Sequence, residues 1–147
     1  MNDQLTDRQA IIDLTIAYCW ALDTHDWEAL GRVFTVDATA LLATPAPLEG
    51  LDAIRERVAR ALTPLDDSQH VVANHQVTID GDTATCRCYL QAQHVRRAAG
   101  DAGGGENYLI GGRYEDRMVH TGDGWRIAHR ELVMMWREGN PAVMTGS

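Results

Sequence analysis

The sequence predicts an α+β domain in which three N-terminal helices cover one face of a cone-like, curved antiparallel sheet and enclose a pocket. Two observations carry this expectation. Apolar residues at helical spacing are confined to the stretch before Pro64, and two-residue alternation takes over from Gln69 to about Arg137. The resulting order, α-α-β-α-β-β-β-β, gathers helices ahead of long strands joined by tight glycine-bearing turns, which favours helices on one face of a sheet. Bent strands wrapped against helices enclose a cavity suited to a small ligand.

The elements follow in order. Thr6-Asp7-Arg8-Gln9 has the form of a capping box opening a helix over about residues 7–22. Ile11, Leu14, Tyr18 and Leu22 form one apolar stripe on it, and Ile12, Ile16, Cys19 and Asp23 form a second that ends, unusually, on an acid. A short helix is expected over Trp27–Val33, and a strand over Ala38–Ala43 stopped by Thr44-Pro45-Ala46-Pro47. Gly50 precedes a third helix with Leu51, Ile54, Val58, Ala61 and Leu62 on one face, ended by Pro64. Gln69–Asp80 and Thr83–Arg97 read as a hairpin around Gly81-Asp82. Ala98–Gly105 reads as a mobile hairpin tip, and a lid role for Gly100–Gly105 stays open. A strand over Asn107–His120 carries a bulge or bend at Gly111-Gly112, and Thr121–Gly124 turns the chain into the last strand, Trp125 to about Arg137. With no repeat or linker, residues 1–147 are expected to form a single domain.

Composition removes several function classes. The net charge is −8, with 45% hydrophobic and 23% charged residues, which fits a folded domain and disfavours nucleic acid and anionic membrane surfaces as partners. No apolar run reaches the roughly 20 residues a membrane-spanning helix needs. The start, MNDQLTDRQ, lacks the basic-then-apolar form of a signal peptide. Cys19, Cys86 and Cys88 have no zinc-binding spacing, and Cys86 and Cys88 share a strand face where a mutual disulfide is geometrically poor. A reducing, cytoplasmic location is therefore expected.

The chemistry-bearing residues are few. Asp23 is either a cap or surface acid at a helix end, or a carboxylate held in a pocket to orient a histidine, since an unpaired carboxylate in a core costs several kcal/mol. His70 and His94 fall on neighbouring strands, whereas His75 and His129 read as structural. Under simple alternation His70 shares a face with Val72 and Asn74, and His75 lies opposite. An imidazole held by an acid has a fixed tautomer and can take a proton near neutral pH. Arg130, on a face with Ala128 and Leu132, either steadies developing negative charge or forms a rim salt bridge. Trp20, Trp27, Trp125 and Trp136 read as core or pocket wall, with Trp136 at a mouth. Nucleophile-elbow, phosphate-loop and zinc-site patterns are missing, so neither a cofactor nor a metal is expected.

The stretch Tyr18-Cys-Trp-Ala-Leu-Asp23-Thr-His-Asp-Trp27, followed by Leu30, Phe34 and Asp37-Ala38, resembles the SnoaL-like branch of the nuclear transport factor 2-like superfamily. Ser68-Gln69-His70 with Asn74, and Gly112-Arg-Tyr-Glu-Asp-Arg117 up to Gly124-Trp125-Arg126-Ile127, extend the resemblance over nearly the whole chain. Within that superfamily the chain is most similar in chemistry to scytalone dehydratase, hexachlorocyclohexane dehydrochlorinase and bile-acid 7α-dehydratase. The resemblance implies an acid at Asp23 beside a histidine at His70, a second histidine at His94, an arginine at Arg130 and a tyrosine at Tyr18. It departs from scytalone dehydratase at Gly111-Gly112, where that enzyme carries a polar pair, so scytalone is not the expected substrate. A cofactor-independent dehydratase acting on a small apolar, cyclic, polyketide-, steroid- or terpenoid-like substrate is implied. His70 would be the base, Tyr18 or His94 the acid, and Trp136, Leu132 and Asn74 would line the pocket. An isomerase or polyketide cyclase is the first alternative; a non-catalytic subunit resembling the β subunits of ring-hydroxylating dioxygenases is the second. A homodimer or homotrimer is implied as well.

Overall fold

The computed structural model describes residues 3–145. A 20-residue helix α1 (Gln4–Asp23) leads through a 3₁₀ turn (Trp27–Arg32) into β1 (Phe34–Leu41), the two-residue β2 (Leu48–Glu49) and α2 (Leu51–Leu62). Four long strands follow: β3 (Asp67–Asp80), β4 (Thr83–Val95), β5 (Asn107–Thr121) and β6 (Gly124–Gly139), with a short α3 (Ala142–Thr145) at the end. They form one curved, unclosed six-stranded sheet in the order β2-β1-β6-β5-β4-β3. All pairings are antiparallel except β1 with β6, which is parallel, so the expected purely antiparallel sheet is corrected at that one seam. Among the described residues no helix is long and apolar enough to cross a membrane.

The helix α1 opens three residues earlier than the capping-box reading placed it. Asp3 is the cap: its carboxylate accepts from the Leu5 amide at 3.0 Å and from the Thr6 hydroxyl at 2.9 Å, which occupies the side chain expected to cap. The stripe Ile11, Leu14, Tyr18 and Leu22 is buried against the sheet. The second stripe lies at its margin, with Ile16 at 39% exposure and Trp20 beside it at 67%, so Trp20 is not core. In α2, Leu51, Ile54, Val58 and Leu62 are buried as their spacing requires. The expected second helix is a 3₁₀ turn, and β1 begins at Phe34 because its first residue pairs with Ile127 of the distant β6.

Two bulges reset which side chains face inward. In β3 the register slips between Ala73 and Gln76, with Asn74 at φ +59°, a left-handed conformation that asparagine tolerates better than most residues. Burial consequently alternates as His70, Val72, then His75, Val77; simple alternation is overturned, and Asn74 is exposed while His75 turns inward. In β6 the register slips at Ala128, so Trp125, Ile127, Arg130 and Leu132 all share the inner side. A third irregularity falls at Gly111/Gly112, where the chain was expected to bulge or bend. A Cβ at Gly111 would overlap the Trp136 indole, and one at Gly112 would overlap the Val133 carbonyl. The expected mobile tip after β4 is a 3₁₀ turn (Arg97–Ala102) tied down by Arg97 N–H to Asp66, followed by Gly103–Gly105, whose carbonyls at 103 and 105 accept from Asn140.

Candidate active site

The last residue of α1, Asp23, points its carboxylate at the edge strand β3. Oδ2 accepts from the His70 backbone N–H at 2.7 Å, while Oδ1 accepts from the Ser68 hydroxyl at 2.9 Å and meets His70 Nδ1 at 2.6 Å. Burial raises the Asp23 carboxyl, but the bonds from the His70 ring, the His70 amide and Ser68 outweigh it and hold the group below the usual carboxylate value. An ionised carboxylate only accepts, so His70 donates through Nδ1, and in the neutral form of the ring Nε2 is the lone-pair nitrogen.

His94 lies diagonally across from His70 on β4, since Ser68 is its direct partner and His70 pairs with Ala92. The two rings meet edge to face with centroids 5.7 Å apart. His94 is buried and its Nδ1 donates to the Tyr108 carbonyl at 3.0 Å, again leaving Nε2 as the lone-pair nitrogen. Burial pushes its basicity down and neighbouring His70 adds to this, against the opposing pull of the Tyr108 bond. A neutral His94 with this tautomer accepts a hydrogen bond through Nε2 and has no proton there to give.

Both histidines line a cavity of about 240 Å³. Its polar wall comprises Tyr18, His70, His94, Tyr108, Tyr114 and Arg57; the rest is aliphatic or thioether, including Leu22, Leu42, Val58, Leu90, Ile110, Leu132, Met134 and Met144. Asp23 stands behind the wall, in a surface groove with Trp20, Ser68 and Val71, and His70 separates groove from cavity. Tyr18 is fully enclosed, and burial pushes its phenol up to about 12, so it is a neutral donor; Tyr114 is raised likewise.

Arg130 underlies both tyrosines. Its guanidinium carbon sits 4.4 Å from the Tyr18 ring centroid and 3.8 Å from that of Tyr114. Nε and Nη2 each donate at 2.8 Å to Asp116, directly opposite on β5, and both side chains are 0% exposed. The salt bridge is thus a core pair, not one at the rim, and Arg130 does not line the cavity. Asn74 and Trp136 do not line it either: Asn74 faces an outer groove because of the β3 bulge, and Trp136 covers Gly111 at 42% exposure. Of the three expected pocket residues, Leu132 alone reaches the cavity. His75 bonds Thr15 at 2.8 Å and His129 bonds Thr39 at 2.6 Å, which gives both a structural partner.

Tyr108, Tyr114, Arg57 and Met144 line the cavity without having been singled out. Tyr108, Ile110 and Tyr114 do alternate along β5, and that two-residue period was the available signal. Met144 carries no local signal, and Arg57 only the lack of an acid one helical turn away. Among the described residues no group of three or more His, Cys, Asp or Glu side chains converges as a metal site would require.

Comparison with known proteins agrees with this architecture. An uncharacterized protein of Mycobacterium tuberculosis is 33% identical over 129 residues, covering 86% of this chain and 84% of its own. The Kfla4162 protein of Kribbella flavida superposes with a TM-score of 0.89 at 29% identity, over 97% of this chain and 99% of that one. A candidate aromatic ring hydroxylase of Novosphingobium aromaticivorans gives 0.84 at 30% identity, over 97% and 99%. The fold is also that of a candidate scytalone dehydratase (TM-score 0.82, 21% identity, 93% of this chain and 89% of that one) and a hexachlorocyclohexane dehydrochlorinase of Novosphingobium barchaimii (0.80, 15%, 94% and 92%). With the model of the SnoaL-like domain matching residues 3–131, the helix-end acid, the strand histidine it holds and the cavity that histidine lines belong to a member of the SnoaL-like family, and the fold is that of a nuclear transport factor 2-like protein.

Proposed function

We propose that this protein is a cofactor-independent lyase, a dehydratase acting on a small, largely apolar hydroxylated substrate. His70 Nε2 removes a proton from the carbon next to an activating group. The electron pair forms the new C=C bond as the C–O bond breaks, and the departing hydroxide takes a proton from Tyr18 to leave as water. The imidazolium returns its proton to the site through solvent, restoring the tyrosine. Asp23 holds the His70 ring in one tautomer and stabilises its cationic form. His94 accepts from the substrate hydroxyl, which leaves the acid role to Tyr18. The observation that carries this reading is the 2.6 Å Asp23–His70 contact behind the wall of a largely apolar cavity. The candidate dehydratase and the dehydrochlorinase among the structural neighbours support an elimination reaction.

The test is a screen of hydroxylated cyclic compounds by mass spectrometry for products lighter by one water. On a substrate so found, His70→Ala is expected to lower kcat/KM about 10²–10⁴-fold, the usual contribution of a general base. Unchanged turnover in that variant would refute the mechanism, and products of unchanged mass would assign isomerisation or cyclisation instead. The likeness to a candidate ring hydroxylase favours one second reading, a non-catalytic subunit of a larger oxygenase. Copurification with a larger subunit, and no turnover by the isolated chain, would select it.

A further inference from the structure

We infer that Arg57 makes this cavity selective for a substrate bearing a carboxylate on its apolar body. Among the described residues Arg57 is the one Lys or Arg side chain in the cavity wall, beside Val58, Ala61, Leu62, Leu42 and Met144. It shares the cavity stripe of α2 with Ala61, one helical turn on. The other arginines of that helix are engaged: Arg55 with Asp52 and the Trp27 carbonyl, Arg60 with Glu56. Arg57 has no acid one turn away, its neighbours at three and four residues being Ala53, Ile54, Arg60 and Ala61. Among the described residues no carboxylate pairs with it, although the chain carries 21 Asp and Glu against 13 Lys and Arg.

Arg57 is half-buried beside aliphatic side chains; a guanidinium that loses hydration in such a setting regains it from a carboxylate through two parallel N–H···O bonds. The protein's net charge of −8 repels anions at long range, so any preference for an anionic ligand must arise from a local cation. On the lyase reading proposed above, such a ligand would be anchored by its carboxylate at Arg57 and react at His70. The carboxylate also sets which end of the molecule reaches the histidines. The substrate class is then a hydroxylated, mostly hydrocarbon carboxylic acid, not a neutral alcohol.

The test reads binding and needs no turnover, so it stands or falls apart from the lyase assignment. Titration calorimetry at pH 7.5 compares 2-naphthoate with its neutral partner 2-naphthamide, on the full chain and on Arg57→Gln and Arg57→Lys. The wild-type protein is expected to bind naphthoate about 10-fold or more tighter than naphthamide, the scale of a charge-assisted pair. Arg57→Gln should erase that preference with naphthamide affinity held within about 2-fold, and Arg57→Lys should keep part of it, a lysine lacking the planar fork. Equal affinity for the two probes in the wild-type protein, no saturable naphthoate binding, or a preference that survives Arg57→Gln would each overturn the inference. A failed substrate screen with an intact naphthoate preference would count against the lyase mechanism alone.

Discussion

Replacing Asp116 by alanine tests the physical account of the core beneath the cavity without any knowledge of substrate. Asp116 supplies both acceptors used by Arg130, at 2.8 Å each, and Nη1 of Arg130 already lacks a partner. The variant would leave a cation at 0% exposure with only the faces of Tyr18 and Tyr114 for company. Desolvated cation–π contacts contribute about 2 kcal/mol, short of the several kcal/mol needed to strip an ion of water. Breaking a buried pair in this way costs about 3–5 kcal/mol. At roughly 2–4 °C per kcal/mol for a domain near this size, the melting midpoint should fall by roughly 6–20 °C. Urea denaturation followed by circular dichroism gives the free energy directly. The double replacement Asp116→Leu with Arg130→Met removes both charges and should recover most of the loss, because the desolvation cost vanishes with them. A single-variant loss below about 1 kcal/mol, the value of an exposed pair, would show that water reaches the guanidinium and refute the reasoning.

Other consequences are equally direct. His94 is held below the usual histidine value, so below about pH 6.5 the unfolded chain binds its proton first; stability is full above that value and declines as pH falls toward the folded-state value. Nitrogen NMR at pH 7 should find its proton on Nδ1, and a proton on Nε2 would contradict the Tyr108 bond. Burial pushes the Cys19 thiol up to about 11 and those of Cys86 and Cys88 to about 12, so an aromatic disulfide reagent at pH 8 should label the native chain slowly and all three thiols at once in denaturant. Fast labelling of any one in the native chain would show it exposed. Gly112→Ala sets a Cβ against the Val133 carbonyl, backbone that cannot swing aside, and should cost about 1–3 kcal/mol in the same urea assay; a neutral result would mean the β5–β6 bulge can relax.

The sequence made the main elements legible because their signals are local. The stripe Ile11, Leu14, Tyr18 and Leu22, the glycine at 81, and the alternation that buries Ala84, Cys86, Cys88, Leu90, Ala92 and His94 each need only a few neighbours to be read. The acid ending an apolar helical stripe was the clearest pointer to the site, since a carboxylate there needs partners and Ser68 and His70 supply them. What escaped was decided either between competing neighbours or between distant segments. Two capping side chains competed at the start of α1, and Asp3 prevailed by also accepting the Thr6 hydroxyl. The first half of β1 exists because β6 pairs with it. Bulges at Asn74 and Ala128 shift alternation by one residue, which takes Asn74 off the inner face and aligns Arg130 with Asp116. Arg57 gives only a faint local sign, the absence of an acid one helical turn away, and its place in the cavity wall is set by how α2 packs.

The same carboxylate explains why structure and chemistry coincide at this point of the fold. β3 is an edge strand, and an edge leaves alternate backbone N–H groups without a ladder partner. The His70 N–H is one that turns toward α1, and Asp23 Oδ2 satisfies it, so the helix end and the strand edge are joined at the residue we propose as the general base. With Ser68 and the His70 ring on Oδ1, three donors fix the carboxylate before any ligand enters. Such preorganisation is what a general base requires, because a ring free to rotate would present the wrong nitrogen for part of the time. Asp23 can do this from behind the wall, without occupying cavity volume, because the curved sheet sets His70 between groove and cavity. Much of the remaining cavity surface is aliphatic, and those side chains can be exchanged to suit different ligands while the helix–strand clamp on His70 stays unchanged.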